Sequence, residues 1–168
     1  EDYAREFGTA SISNGQITGA VTGLNIGGSR AAADINSVTV TDPVNEGVLV
    51  DGSVSVTLDG LEVVGGSYGV RLTSASGGKL ALTNVDLDGQ SQDGLALVKD
   101  MNLELSGTIM NSVGAAIKIP SSSAGAWEFD SLTLLNSGAG VDASGSGSVT
   151  MIDCTLTGNT NDVILGGS

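Results

Sequence analysis

Three carboxylates, Glu62, Asp86 and Asp88, come together if this chain coils with a period near 23 residues. Carboxylate oxygens are what calcium takes, so these three are the candidate metal ligands and calcium the candidate cofactor. The stretch DLDGQSQDG that holds Asp86 and Asp88 has a calcium loop's mix of acid and glycine, without the D-x-D-x-D-G order of an EF-hand. Nucleophilic chemistry has less to work with. There is one cysteine, Cys154, and no histidine, so a thiol or serine activated by imidazole is excluded.

A repeat must position these groups. One inward-facing position recurs as Gly15, Val38, Leu61, Val85, Thr108, Leu132 and Cys154, at steps of 22 to 24 residues. A period that steady specifies a solenoid, each coil stacked on the last. The third coil shows the template. VSVTLDG puts Val56 and Leu58 inward and Thr57 outward, then turns at Asp59-Gly60. LEV puts Leu61 and Val63 inward and Glu62 outward; VGGSYG turns more loosely; VRL puts Val70 and Leu72 inward and Arg71 outward.

The other coils follow it. First-strand inward pairs run from Ala10/Ile12 to Val149/Met151, with Trp127/Phe129 in coil six, so Trp127 is expected to fill the core rather than stack on a sugar. Cys154 is expected to be a small buried hydrophobe. The tight-turn column reads Asn14, Ser37, Gly60, Asn84, Gly107, Ser131, Asp153. Third-strand pairs run from Leu24/Ile26 to Val163/Leu165. The middle strand's outward residues include Glu62/Val64, Asp86/Asp88, Ile109/Asn111 and Thr133/Leu135, too irregular for the flat threonine array of an ice-binding face. Glu62 over Asp86, and Glu104 over Glu128 on the first sheet, stack like charges that a cation would relieve.

Parallel crossovers are right-handed. The expected fold is therefore all-β: a right-handed, three-sheet parallel β-helix of about seven coils over residues 10–168. Residues 1–9 are expected to form a short N-terminal capping segment, with Tyr3 and Phe7 spaced for one helical turn. Rungs about 4.8 Å apart make a rod on the order of 30 Å long.

Over roughly residues 10–168 these repeats resemble the right-handed parallel β-helix of the pectin lyase-like superfamily. That superfamily holds lyases and hydrolases as well as adhesins and non-catalytic scaffolds. The resemblance implies that catalytic groups would project from the strand matching VRL, whose outward column reads Asn25, Leu49, Arg71, Ala96, Lys118, Asp142, Ile164. It implies Lys118 or Arg71 as the base, with Asp142 or Asp51 holding calcium against a sugar carboxylate. The column departs from that pattern. Ala96 separates Arg71 from Lys118, Leu49 and Ile164 interrupt the polar strip, and the cluster of aspartates that glycoside hydrolysis needs is missing. A Lys118–Asp142 surface pair is the plainer expectation.

Composition narrows the partners. The net charge is −13, from 19 acidic and 6 basic residues, which argues against nucleic acid and against anionic membrane surfaces. One cysteine permits no internal disulfide, and no apolar run is long enough to span a bilayer. The chain opens on Glu1 and is expected to be a processed form or a piece of a longer protein. Its last coil stops at Leu165 without a capping segment, so the expectation is either a domain cut from a longer protein or end-to-end contact through that coil. The functional expectation is a non-catalytic extracellular or cell-surface module, a rigid spacer or binding scaffold toward polysaccharide or a surface protein. The alternative is a polysaccharide lyase or glycoside hydrolase-like enzyme, or a fragment of one, acting on an acidic polysaccharide through Lys118, Arg71 and Asp142.

Overall fold

The computed structural model describes residues 9–28, 32–52, 55–74, 79–97, 102–119, 126–144 and 148–166. The capping segment, apart from Thr9, falls outside them. The strands follow the coils. Coil one holds β1 (Thr9–Ser13), β2 (Gln16–Thr18) and β3 (Leu24–Gly27). Coil two holds β4 (Ala32–Asn36), β5 (Thr39–Thr41) and β6 (Glu46–Asp51), and coil three β7 (Ser55–Asp59), β8 (Glu62–Val64) and β9 (Tyr68–Ser74). Coil four is β10 (Lys79–Asp88) and β11 (Leu95–Ala96); coil five is β12 (Asn102–Met110) and β13 (Ala115–Lys118). Coil six holds β14 (Ala126–Asp130), β15 (Leu132–Leu135) and β16 (Ala139–Ala143), and coil seven β17 (Ser148–Ile152), β18 (Thr155–Thr157) and β19 (Asn161–Leu165).

Every ladder is parallel. The third strands form one seven-stranded sheet, β3-β6-β9-β11-β13-β16-β19, so six full turns separate its first and last rungs. Among the described residues three sheets are present, as expected, but they divide differently. β10 and β12 run straight through the first corner and join the first and second strand columns into one ten-stranded sheet, while β14 and β17 stand as a separate pair.

Alternation makes the core. Val56, Leu58, Leu61, Val63, Val70 and Leu72 of coil three are all buried, and the same positions of neighbouring coils stack on them. Trp127 is 5% exposed and Phe129 is buried, so the inward column of coil six holds. The terminal coils have neighbours on one side only. Cys154 is accordingly half-buried rather than buried, and Val163 and Leu165, although in the inward column, are exposed.

Two left-handed columns turn the chain. Asn14, Ser37, Gly60, Asn84, Ser131 and Asp153 occupy the first corner with φ between 50° and 64°. These side chains tolerate that region where most do not. A second column, which sequence reasoning treated only as a loose turn, holds Gly19, Asp42, Gly65, Gly89, Asn111, Asn136 and Gly158, one per coil. Backbone bonds carry the ladder around it, for example Asp42 N–H to Val64 O at 2.9 Å and Gly65 N–H to Asp88 O at 2.8 Å.

Coil five corrects the expected register. Gly107, not Thr108, pairs with Val85 and Leu132 in the inward column, and Thr108 pairs with Asp86. Ile109 is therefore buried, Thr108 and Met110 take the outward positions, and Asn111 belongs to the second corner. The cause is one missing residue. Between Leu82 and Val85 coil four has Thr83 and Asn84; between Leu105 and Gly107 coil five has Ser106 alone. The Ser106 hydroxyl accepts the Asn84 N–H at 3.3 Å, a bond the neighbouring coils make to a backbone carbonyl. Glu104 and Glu128 were expected as ladder neighbours. Among the described residues no ladder joins β12 to β14: Glu104 pairs with Ala81, and Glu128 with Thr150.

Candidate functional site

The third sheet's outward column is as expected. Asn25, Leu49, Arg71, Ala96, Lys118, Asp142 and Ile164 stand in successive register. The structure brings Lys118 and Asp142 together as an ion pair, with Asp142 also accepting the Ser144 N–H at 3.0 Å. It does not bring Arg71 to them. Ala96 intervenes, and Arg71 turns the other way, donating to Glu46 at 3.2 Å and lying over the Tyr68 ring at 4.7 Å. Asp51 sits at the exposed end of β6.

Glu46, Tyr68 and Asp93 were not foreseen. Glu46 is 7% exposed, and its second oxygen accepts from the Thr22 hydroxyl at 3.0 Å. A buried carboxylate needs such partners, and Thr22 and Arg71 supply them. Tyr68 donates its hydroxyl to Gln92. Asp93 accepts the Ala115 N–H at 2.8 Å. Thr22, Glu46, Tyr68 and Asp93 each precede a glycine, Gly23, Gly47, Gly69 and Gly94, and that dipeptide column was the available signal. The glycines let the third sheet close on the middle strand: a β-carbon at Gly47 would lie 2.4 Å from Val63 Cγ1. A polar strip thus runs along the leading edge of the sheet, from Thr22 through Glu46, Arg71, Tyr68 and Gln92 to Asp93, Lys118 and Asp142.

Its carboxyls differ in charge environment. Burial pushes Asp93 above the ordinary 3.8. The Ala115 N–H and the Lys118 charge oppose this, and the Asp142 charge adds to it. Burial also acts to raise Asp142, but hydrogen bonds from Lys118 and Ser144 and the Lys118 charge outweigh it and hold that carboxyl below 3.8.

The proposed metal ligands share a face. Glu62 pairs with Asp86 on the next rung, and Asp88 stands opposite Val64. Thr39 donates to Glu62 at 3.2 Å, and Asn111 to Asp88 at 2.6 Å. Burial, then the charges of Glu62 and Asp88, raises the Asp86 carboxyl above 3.8. Among the described residues, no three His, Cys, Asp or Glu side chains converge as a metal-holding group. The register skip opens a shallow pocket of about 230 Å³ beside Ser106, lined by Thr83, Glu104, Leu105, Asp130 and Ser131. Its two carboxylates are engaged: Lys79 holds Glu104 at 2.8 Å, and the Ser131 hydroxyl donates to Asp130 at 2.8 Å. The Cys154 thiol donates to the Ile152 carbonyl at 3.2 Å.

Parallel ladders, stacked apolar columns and two left-handed corners per coil define a right-handed β-helix. Residues 5–168 match the family described as the right handed beta helix region, and the chain belongs to it. Its fold is of the pectin lyase-like kind. Comparison with curated proteins and with solved structures gives no match.

Proposed function

We propose that this β-helix is a non-catalytic extracellular or cell-surface module, a rigid spacer whose third-sheet edge binds a polysaccharide or a protein surface. The observation that carries this reading is the state of its cations. Arg71, Lys79 and Lys118, the three cationic side chains among the described residues, are each ion-paired, to Glu46, Glu104 and Asp142. An ammonium or guanidinium held by a carboxylate is a poor proton acceptor, and Arg71 and Lys118 stand two rungs apart. The Tyr68 ring under the Arg71 guanidinium, flanked by Gln92, offers instead a planar, amphipathic contact of the sort binding surfaces use. Affinity electrophoresis in gels containing neutral or acidic polysaccharides tests this. Retardation that is lost in Tyr68→Ala, with the fold intact by circular dichroism, supports the reading. A wild type that is retarded in none of the gels removes polysaccharide as the ligand.

The enzyme reading keeps one observation in its favour, the raised Asp93 carboxyl beside the Lys118–Asp142 pair, a candidate acid next to a charged partner.

A further inference from the structure

We infer that a single water molecule is built into the interior between coils four and five, held by Gln90 Oε1 and Ser112 Oγ. The two residues occupy the same place on adjacent coils, just past the second corner, where Val113 N–H donates to Gln90 O at 2.9 Å. Gln90 is 0% exposed and Ser112 2%. Neither Gln90 Oε1 nor Ser112 Oγ has a hydrogen-bond partner among the described residues.

The orientation of Gln90 is fixed. Its amide nitrogen faces three carbonyls, those of Asp88 at 2.8 Å and of Val63 and Gly65 at 3.3 Å. A flipped amide would set its oxygen against all three, so the nitrogen must stay and the oxygen must find a donor elsewhere. Three neighbouring backbone donors are already engaged. The Ser91 N–H goes to Gly66 O at 2.8 Å, the Gln92 N–H to Ser67 O at 3.0 Å and the Ser112 N–H to Ser137 Oγ at 3.2 Å.

The next coils show how this position is satisfied when protein atoms suffice. Ser137 Oγ donates to Leu135 O at 3.0 Å. Asn159 Oδ1 accepts the Ser137 N–H at 2.9 Å, and Asn159 Nδ2 donates to Leu134 O at 3.0 Å. Gln90, Ser112, Ser137 and Asn159 are thus one polar column beneath the second corner, broken at the Gln90–Ser112 step. A buried amide oxygen and hydroxyl left bare there are costly. Water donates twice and accepts twice, so one molecule completes both groups and the column.

A high-resolution crystal structure of the whole chain tests this. The expected result is one ordered density peak within about 2.6–3.2 Å of both Gln90 Oε1 and Ser112 Oγ. Gln90→Met should lose the peak, and Ser137→Ala should keep it. Should Gln90→Met fail to fold, the wild-type density decides alone. A dry interior, or Gln90 and Ser112 in direct contact, overturns the inference.

Discussion

Gly107 stands directly opposite Val85 in the inward column, where a β-carbon would lie 2.2 Å from the Val85 carbonyl oxygen. Its φ of 132° is one that side chains avoid. The glycine is what lets coil five turn with one residue fewer than coil four.

Gly107→Ala should therefore destabilise the rod by about 2–4 kcal/mol, combining backbone strain with a clash against main-chain atoms. Gly60, at φ 64° with no atom nearer than 3.7 Å to its β-carbon position, should accept asparagine within about 0.5 kcal/mol, since Asn84 and Asn14 hold that corner elsewhere. Urea midpoints of the two variants check the contrast.

Trp127 should report a buried indole: blue-shifted emission, poorly quenched by iodide. Trp127→Ala should cost about 3–5 kcal/mol, as large core truncations do. A readily quenched tryptophan would break the column.

Much of this was legible in the sequence because alternation and period are properties of the chain itself. Val56/Leu58, Leu61/Val63 and Val70/Leu72 reveal three strands without any neighbour in view. Coil five departs from the expected register because glycine and threonine at 107–108 fit either side of a turn, and only cross-coil pairing shows that Ser106 stands alone where coil four has two residues. The Lys118–Asp142 pair followed from the period. The Arg71–Glu46 pair did not, because Glu46 opens β6 ahead of the alternating Val48/Val50 pair and reaches Arg71 across coils. The trace Glu46 leaves is the glycine after it, a dipeptide shared with Thr22, Tyr68 and Asp93 that marks the position without revealing the partner.

Asp86 should behave as a strained charge. Its carboxyl binds a proton more tightly folded than unfolded, so its charge weakens the fold above the folded pKa. The penalty is relieved as pH falls through that value toward 3.8. Asp86→Asn should raise the melting temperature at neutral pH and flatten this part of the profile. Calcium and sodium at equal ionic strength should shift the wild type equally by screening. A calcium-specific rise abolished by Asp86→Asn would establish Glu62, Asp86 and Asp88 as a metal site.

Asp142 carries the opposite sign. Its depressed folded pKa contributes stability above the unfolded value of 3.8, and this is lost as pH falls through the folded value. Carboxyl-carbon NMR should show Asp142 titrating below 3.8 and Asp93 above it. Lys118→Ala should move Asp142 upward while changing overall stability by no more than about 1 kcal/mol, the scale of a half-exposed pair. An unmoved Asp142 would show that Lys118 does not hold it.

If the cations of the third sheet are structural partners rather than bases, the protein should cleave no uronate polysaccharide. The most direct measurement follows unsaturated product by ultraviolet absorbance while the protein is incubated with a panel of uronate polysaccharides, with and without calcium. No product above the blank is expected for the wild type, Lys118→Ala or Arg71→Ala. Sustained product from the wild type that disappears in Lys118→Ala would contradict it.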